Sequence, residues 1–272
     1  MSSVRVGNVE IIVLLDLSFA FPYSAFFPAV PADKWPPYRA MYPRSDQGDN
    51  FATNGQGFVV RSAGRTLLID TGLGPGPHAM AGGAAGNLMA DLQAKGVTPD
   101  SVDTVVFTHL HFDHTGWALK DGKPAFARAR YLAPEADWKL LGTGVAGFLE
   151  ADQIKPLEAA GVLELVSGEK ALTPELTTLP TPGHTPGHQS IVIASAGERA
   201  FIAGDIAHHP AQMEETGWNS GFDADGATAA ATRRRVMERL EQDGSIAAFG
   251  HFPHPGTGRV VRDGGRRVFR AL

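Results

Sequence analysis

Cysteine is absent from the 272 residues. Disulfides, thiolate metal ligands and cysteine nucleophiles are therefore excluded, and any metal must be held by histidine and carboxylates. A positive balance is missing too: the formal net charge is −5, which gives no basic footprint for nucleic acid or an anionic membrane. No run approaches the ~18 apolar residues of a membrane span. Residues 1–6 lack the charged stretch, apolar stretch and small-residue cleavage site of a secretory leader. No repeat of solenoid period is evident. These absences predict a soluble, cytoplasmic protein with no nucleic-acid or membrane partner.

What is present is a 43% hydrophobic chain, enough to bury a large core, read as one domain over residues 1–272. Apolar runs predict strands at 9–15, 58–60 and 66–69, the last two as a hairpin around 62–64. Between them, residues 19–54 are rich in proline and aromatics (Phe21, Tyr23, Phe26, Phe27, Trp35, Tyr38, Tyr42), predicting a long loop or lid, or a homodimer surface. Helices are predicted at 88–92, capped by Gly96, and at 134–141, 153–160 and 227–242. Strands are predicted at 104–107, 131–132, 163–166, 176–179, 190–194, 199–202 and 246–249, with a terminal hairpin over 259–269. Arg233, Arg234, Arg235 and Arg239 read as the solvated face of the last helix.

Ten histidines are present, and His109, His111, Asp113 and His114 crowd one short segment after an apolar strand. All four are good ligands for a borderline divalent ion. If the segment is extended, His109, His111 and Asp113 share a face and the turn at His114 brings a fourth group round, so one loop serves two metals.

At this point the chain resembles the metallo-β-lactamase superfamily, whose signature is His-x-His-x-Asp-His after a strand. Asp70-Thr71-Gly72 resembles that family's Asp-x-Gly turn, which supports the site without ligating. The segment from Thr181 to His188 resembles the one that supplies a third histidine, His184. Gly204-Asp205 resembles the bridging carboxylate, and Gly250-His251 the closing ligand. The resemblance implies an α+β fold, a four-layer αββα sandwich. It also implies two zinc ions, with manganese, iron or cobalt as substitutes: His109, His111 and His184 on one, Asp113, His114 and His251 on the other, and Asp205 bridging.

Such a centre generates a hydroxide nucleophile at neutral pH and stabilises attacking and leaving oxygens. The expected function is thus a dinuclear zinc hydrolase that opens lactones or cleaves related activated esters, with Asp113 orienting the nucleophile and His208 hydrogen-bonding the developing oxyanion. Alternatives are a phosphotriesterase, a glyoxalase-type thioesterase and a β-lactamase. From another class comes a non-catalytic metal-binding scaffold, which would be expected to have lost ligands. His188 is expected to brace the His184 loop and His209 to be structural. His78 and His254 read as exposed loop residues, Trp117 and Trp218 as core. Asp16 and the aromatics of 19–42 are expected to line the entrance.

Overall fold

Apolar side chains that alternate with period two give each strand two faces to bury. In the computed structural model, which describes residues 3–145 and 154–272, this builds two sheets. The first half of the chain supplies β1 (Ser3–Val6), β2 (Val9–Pro22), α1 (Tyr23–Phe26), α2 (Pro36–Met41), β3 (Asp46–Gln47), β4 (Asn50–Ser62), β5 (Arg65–Ile69), α3 (Leu88–Ala94), β6 (Thr104–Val106) and α4 (Phe112–Thr115). A small hairpin of β7 (Leu119–Lys120) and β8 (Lys123–Pro124) leads to β9 (Arg130–Pro134), α5 (Glu135–Trp138), α6 (Pro156–Ala159) and β10 (Leu163–Val166). The second half supplies β11 (Ala171–Thr173), β12 (Leu176–Pro180), β13 (Gln189–Ser195), β14 (Glu198–Ile202), α7 (Gly226–Asp243), β15 (Ile246–Ala248), β16 (Thr257–Asp263) and β17 (Arg266–Ala271).

One sheet runs β1-β2-β4-β5-β6-β9-β10, with β3 beside β4, and the other runs β11 to β17 in chain order. Val9, Ile11 and Val13 of β2 point into the core between the sheets and meet Ile191, Ile193, Ala200 and Ile202 of the other sheet. Their alternates Ile12 and Leu14 point outward, onto Leu88 and Leu92 of α3. On the far side, Phe201 and Ala247 pack under Val236, Met237 and Leu240 of α7. The layers are helix, sheet, sheet, helix, as expected for a chain in which both sheets have two apolar faces. Among the described residues no helix is long and apolar enough to cross a membrane.

Three sequence expectations are corrected. The stretch 19–54 is not one loop: β2 and β4 continue as an antiparallel pair from Leu17↔Gly55 to Pro22↔Asn50, and only residues between them form short helices and turns. Many of its rings are spent inside the chain, where Tyr23, Phe26, Phe27, Trp35, Tyr38 and Phe51 form a buried cluster. Arg233 is fully buried, unlike exposed Arg234 and Arg235. The helix predicted at 134–141 is shorter, and of the one at 153–160 the part from Pro156 to Ala159 is formed, while Gln153 lies outside the described residues.

Candidate metal centre

The site lies beyond the carboxyl ends of β5, β6 and β14, where loops leave the sheets. The expectation of an extended ligand segment is met only in part: the chain bends at Thr108 and His109, and His111 has β backbone angles. There α4 begins, so Asp113 and His114 are presented from a helical turn instead of by strand alternation. Asp70, in the left-handed region at φ 58°, which Asp tolerates better than most residues, aims its carboxylate back at this loop. It accepts from the Thr108 amide at 2.7 Å and hydroxyl at 2.8 Å. His114 Nδ1 donates to it at 2.9 Å.

Three of the other histidines are held from behind in the same way, whereas His111 turns its Nδ1 toward His184 Nε2, 3.0 Å away. His109 Nδ1 lies 3.1 Å from the Thr108 hydroxyl, His184 Nδ1 is 2.9 Å from Asp223 Oδ1, and His251 Nδ1 is 2.8 Å from the Asn54 carbonyl. An acceptor behind Nδ1 fixes the proton there and leaves Nε2 with its lone pair facing inward, the form that binds a metal. The Nε2 atoms of His109 and His114 and Oδ1 of Asp205 are buried without a hydrogen-bond partner among the described residues. Such orphaned acceptors are costly unless something else satisfies them.

Among the described residues the inward atoms form four overlapping groups, each with its atoms within 4.8 Å of one another: His109, His111 and His184; Asp113, His114 and His251; His109, His114 and Asp205; and His184, Asp205 and His208. Asp205 stands between the first two, its Oδ1 3.2 Å from His114 Nε2 and its Oδ2 3.3 Å from His184 Nε2 and 3.0 Å from His251 Nε2. The donor set of imidazoles and carboxylates, open on one side to a cleft, fits one or more divalent cations of the zinc class.

Electrostatics agrees with a cation site. Burial, reinforced by the His114 charge, holds His109 well below its usual range, and burial with His184 lowers His111 to about 2. Burial also opposes protonation of His114 and His184. Asp205, Asp113 and Asp70 outweigh it at His114, which is raised well above the usual range, and Asp205 and Asp223 raise His184 to about 9. Asp205 itself, which burial alone would raise, is held well below the carboxylate range by His114, His251, His208 and His109. Protons and a metal compete for the same inward lone pairs.

The remaining expectations divide. His188 does brace its loop: Nδ1 is 3.0 Å from the Thr181 carbonyl and Nε2 accepts from the Asp205 amide at 2.9 Å, so it also fixes the shared carboxylate's backbone. His209 is packed among Tyr23, Trp35 and Phe51. His78 and His254 are not free loop residues; they are half-buried, with ring nitrogens 2.9 Å from the Gly74 carbonyl and 2.7 Å from Gln56 Oε1. Asp16 does not line the entrance: it is buried, accepting from the amides of Leu73 and Leu88 and from the Trp117 indole. Trp117 packs beside the α3 core and Trp218 against the aromatic cluster.

His208 is buried at the cleft floor, Nε2 3.1 Å from Asp205 Oδ2, its ring stacked on His251. The cleft is walled by Phe19, Phe21, Phe26, Phe112, Phe222 and Met80. Thus only part of the 19–42 aromatics reach it, and Phe112, Phe222 and Met80 were not foreseen.

Two further groups escaped sequence reasoning. Asp137 accepts from the Leu110 amide at 3.2 Å and the Thr185 hydroxyl at 2.7 Å through Oδ2, and from the Gly187 amide at 2.6 Å through Oδ1. It clasps the two histidine loops together. A Cβ at Gly187 would come within 2.7 Å of Asp137 Oδ1, so this approach requires glycine. Asp223, behind His184, is the second.

A profile of the Metallo-beta-lactamase superfamily matches residues 52–251. The chain belongs to this superfamily. An N-acyl homoserine lactonase of Bacillus cereus is 25% identical over 162 residues, 59% of this chain and 60% of the relative. The alignment thus spans about three fifths of that protein's length. Among solved structures, AidC, a dizinc quorum-quenching lactonase in complex with a product, superposes with a TM-score of 0.86 at 20% identity over 99% of this chain and 96% of its own. The hydrolase AbOPH of the beta lactamase superfamily does so with a TM-score of 0.86 at 25% identity, over 99% and 96%.

Proposed function

We propose that the protein is a dinuclear zinc hydrolase that opens lactones, or cleaves comparably activated esters. The observation that carries this reading is the pair of inward-facing ligand groups joined at Asp205 under an apolar cleft. In this reading His109, His111 and His184 hold one ion, Asp113, His114 and His251 the other, and Asp205 both. The lactonase names of similar proteins support the substrate class. The walls support it too, since phenylalanines with few polar groups suit an uncharged, partly apolar substrate.

When bound, the ions supply Lewis acidity toward water and toward the acceptor oxygen. The chain's own residues do the rest. Asp113, the most exposed of the ligand carboxylates, orients the attacking water and takes its proton. As the water oxygen bonds to the acyl carbon, the ring C–O bond breaks and that proton passes to the leaving alkoxide, giving a hydroxy acid. His208, on the cleft floor, stabilises the negative charge that develops on the carbonyl oxygen. Phe21, Phe26 and Phe222 exclude water from the acyl side.

The test is a panel of acyl-homoserine lactones, aryl lactones, aryl phosphotriesters, thioesters and a β-lactam assayed with the zinc-loaded protein. Lactones are expected to give the highest kcat/KM. A preference for any of the other classes by more than tenfold would contradict the assignment.

A further inference from the structure

We propose that Arg233 is a positioning residue for the His184 side of the metal centre, although it contacts no inward-facing ligand atom. The inference rests on the reading of His184 as a metal ligand.

Helix α7 presents Ala229, Thr232 and Arg233 at i, i+3 and i+4, one face of the helix, and that face is pressed onto the loop bearing His184. A Cβ at Gly183 would lie 2.3 Å from the Ala229 nitrogen, so the loop backbone rests on the helix with no side chain between. Thr232 donates its hydroxyl to the Pro182 carbonyl at 2.7 Å. Just before the helix, the amides of Ala224 and Asp225 donate to the carbonyls of His184 and Gly183, each at 3.0 Å.

Arg233 completes this face. Its Nη2 is 3.2 Å from Asp223 Oδ2, while Asp223 Oδ1 takes the His184 Nδ1 proton at 2.9 Å. Its Nε donates to the Ile206 carbonyl at 2.6 Å, one residue beyond Asp205. Its Nη1 donates to the Thr216 carbonyl and Asn219 Oδ1. One planar fork therefore fixes both the carboxylate behind His184 and the loop of the shared carboxylate. Arg233 and Asp223 are each about 1% exposed at the side chain. A guanidinium is not buried for packing alone, since an unpaired one is costly there, and its fixed geometry matches this set of acceptors as an ammonium would not.

Among the described residues no comparable cation backs the other half of the site. Asp70 is met there by the amide and hydroxyl of Thr108. Removal of Arg233 is therefore expected to weaken one metal position and spare the other.

The experiment measures zinc affinity of the full chain by competition with a chromophoric chelator, and the visible spectrum of the cobalt(II) form, both without substrate. Arg233→Met keeps the apolar stem and removes the fork. It is expected to weaken one zinc equivalent by about 10–100-fold, the usual effect of losing a group behind a ligand, and to alter the cobalt spectrum. Met237→Ala, buried on the same helix, is the structural control: it is expected to lower the melting temperature and leave both equivalents and the spectrum unchanged.

Should Arg233→Met fail to fold, Arg233→Lys, which keeps a cation beside Asp223 and loses the fork, takes its place with the same expected loss. Wild-type affinity for both equivalents in whichever of these variants folds would overturn the proposal. A wild-type chain that binds no zinc would instead overturn the metal reading beneath it, so the two failures are distinguishable.

Discussion

The two loops that meet at Asp205 are built in different ways. The first, from Thr108 to His114, leaves a buried strand and is anchored by Asp70 at the end of the neighbouring strand. The second, around His184, projects from the other sheet and is anchored by Asp137, Asp223 and Arg233, all drawn from other parts of the chain. One loop is held by the parallel neighbour of its own strand. The other is held by side chains of α5, of α7 and of the turn before α7. The difference teaches that ligand atoms can cluster in a chain while the groups that aim them need not.

Substitutions can break or sharpen that contrast. The largest effect is expected at Asp205, where the loops converge. Asp205→Ala removes the shared ligand from both groups and should abolish hydrolysis while elemental analysis shows metal content reduced below that of any other variant. A variant with wild-type metal content would separate the two groups and dissolve the comparison.

Next is Asp70→Ala, which strands the Thr108 donors and frees the His114 ring. The expected result is a fall in metal affinity of about 10–100-fold at the equivalent served by His114, with a smaller fall at the equivalent served by His109, whose Nδ1 faces the Thr108 hydroxyl. Unchanged affinity at the His114 equivalent would mean that Asp70 does not aim that ring.

Asp137→Ala should act more on stability than on affinity. It leaves the buried amides of Leu110 and Gly187 without their acceptor, and each such loss costs about 1–3 kcal/mol. Urea unfolding of the apo protein should report a lowered midpoint with unchanged slope. An unchanged midpoint would mean that the clasp between the loops contributes nothing.

The smallest effect belongs to the wall. Phe222, 38% exposed at the rim of the cleft, is a surface residue, for which truncation usually changes stability by no more than ~0.5 kcal/mol. Phe222→Ala should lower kcat/KM for long-chain substrates more than for short ones, with metal affinity intact. Equal losses on all chain lengths would remove it from the binding surface.

The same contrast explains what was legible in the sequence. The strands were, because unbroken apolar runs within segments such as 9–15 and 199–202 report two buried faces. So was the cluster of His109, His111, Asp113 and His114, because ligands crowded in one segment carry their own signal, while His184, Asp205 and His251 lie far apart in the chain and were suggested only by the family resemblance. The family resemblance supplied their partition between two ions. Arg233 was misread because it stands in a row of arginines, three of them outside the core, and one-dimensional charge patterning does not reveal which member the fold buries. Asp137 and Asp223 gave no signal: lone aspartates in helices and turns are common, and their importance arises from contacts 27 and 39 residues away or more. The 19–54 stretch misled for another reason. Proline and aromatic content described its middle correctly but concealed the strand extensions at both ends, where Phe19, Phe21 and Phe51 pair in the β2–β4 ladder.

The central claim is that hydrolysis requires metal held by these two ligand groups. The most direct measurement follows lactone opening and zinc content together while a chelator is titrated in, and again as zinc is returned. Activity is expected to vanish as zinc leaves and to recover as two equivalents per chain rebind. Sustained turnover by a chain stripped of zinc and other divalent metals would contradict the account.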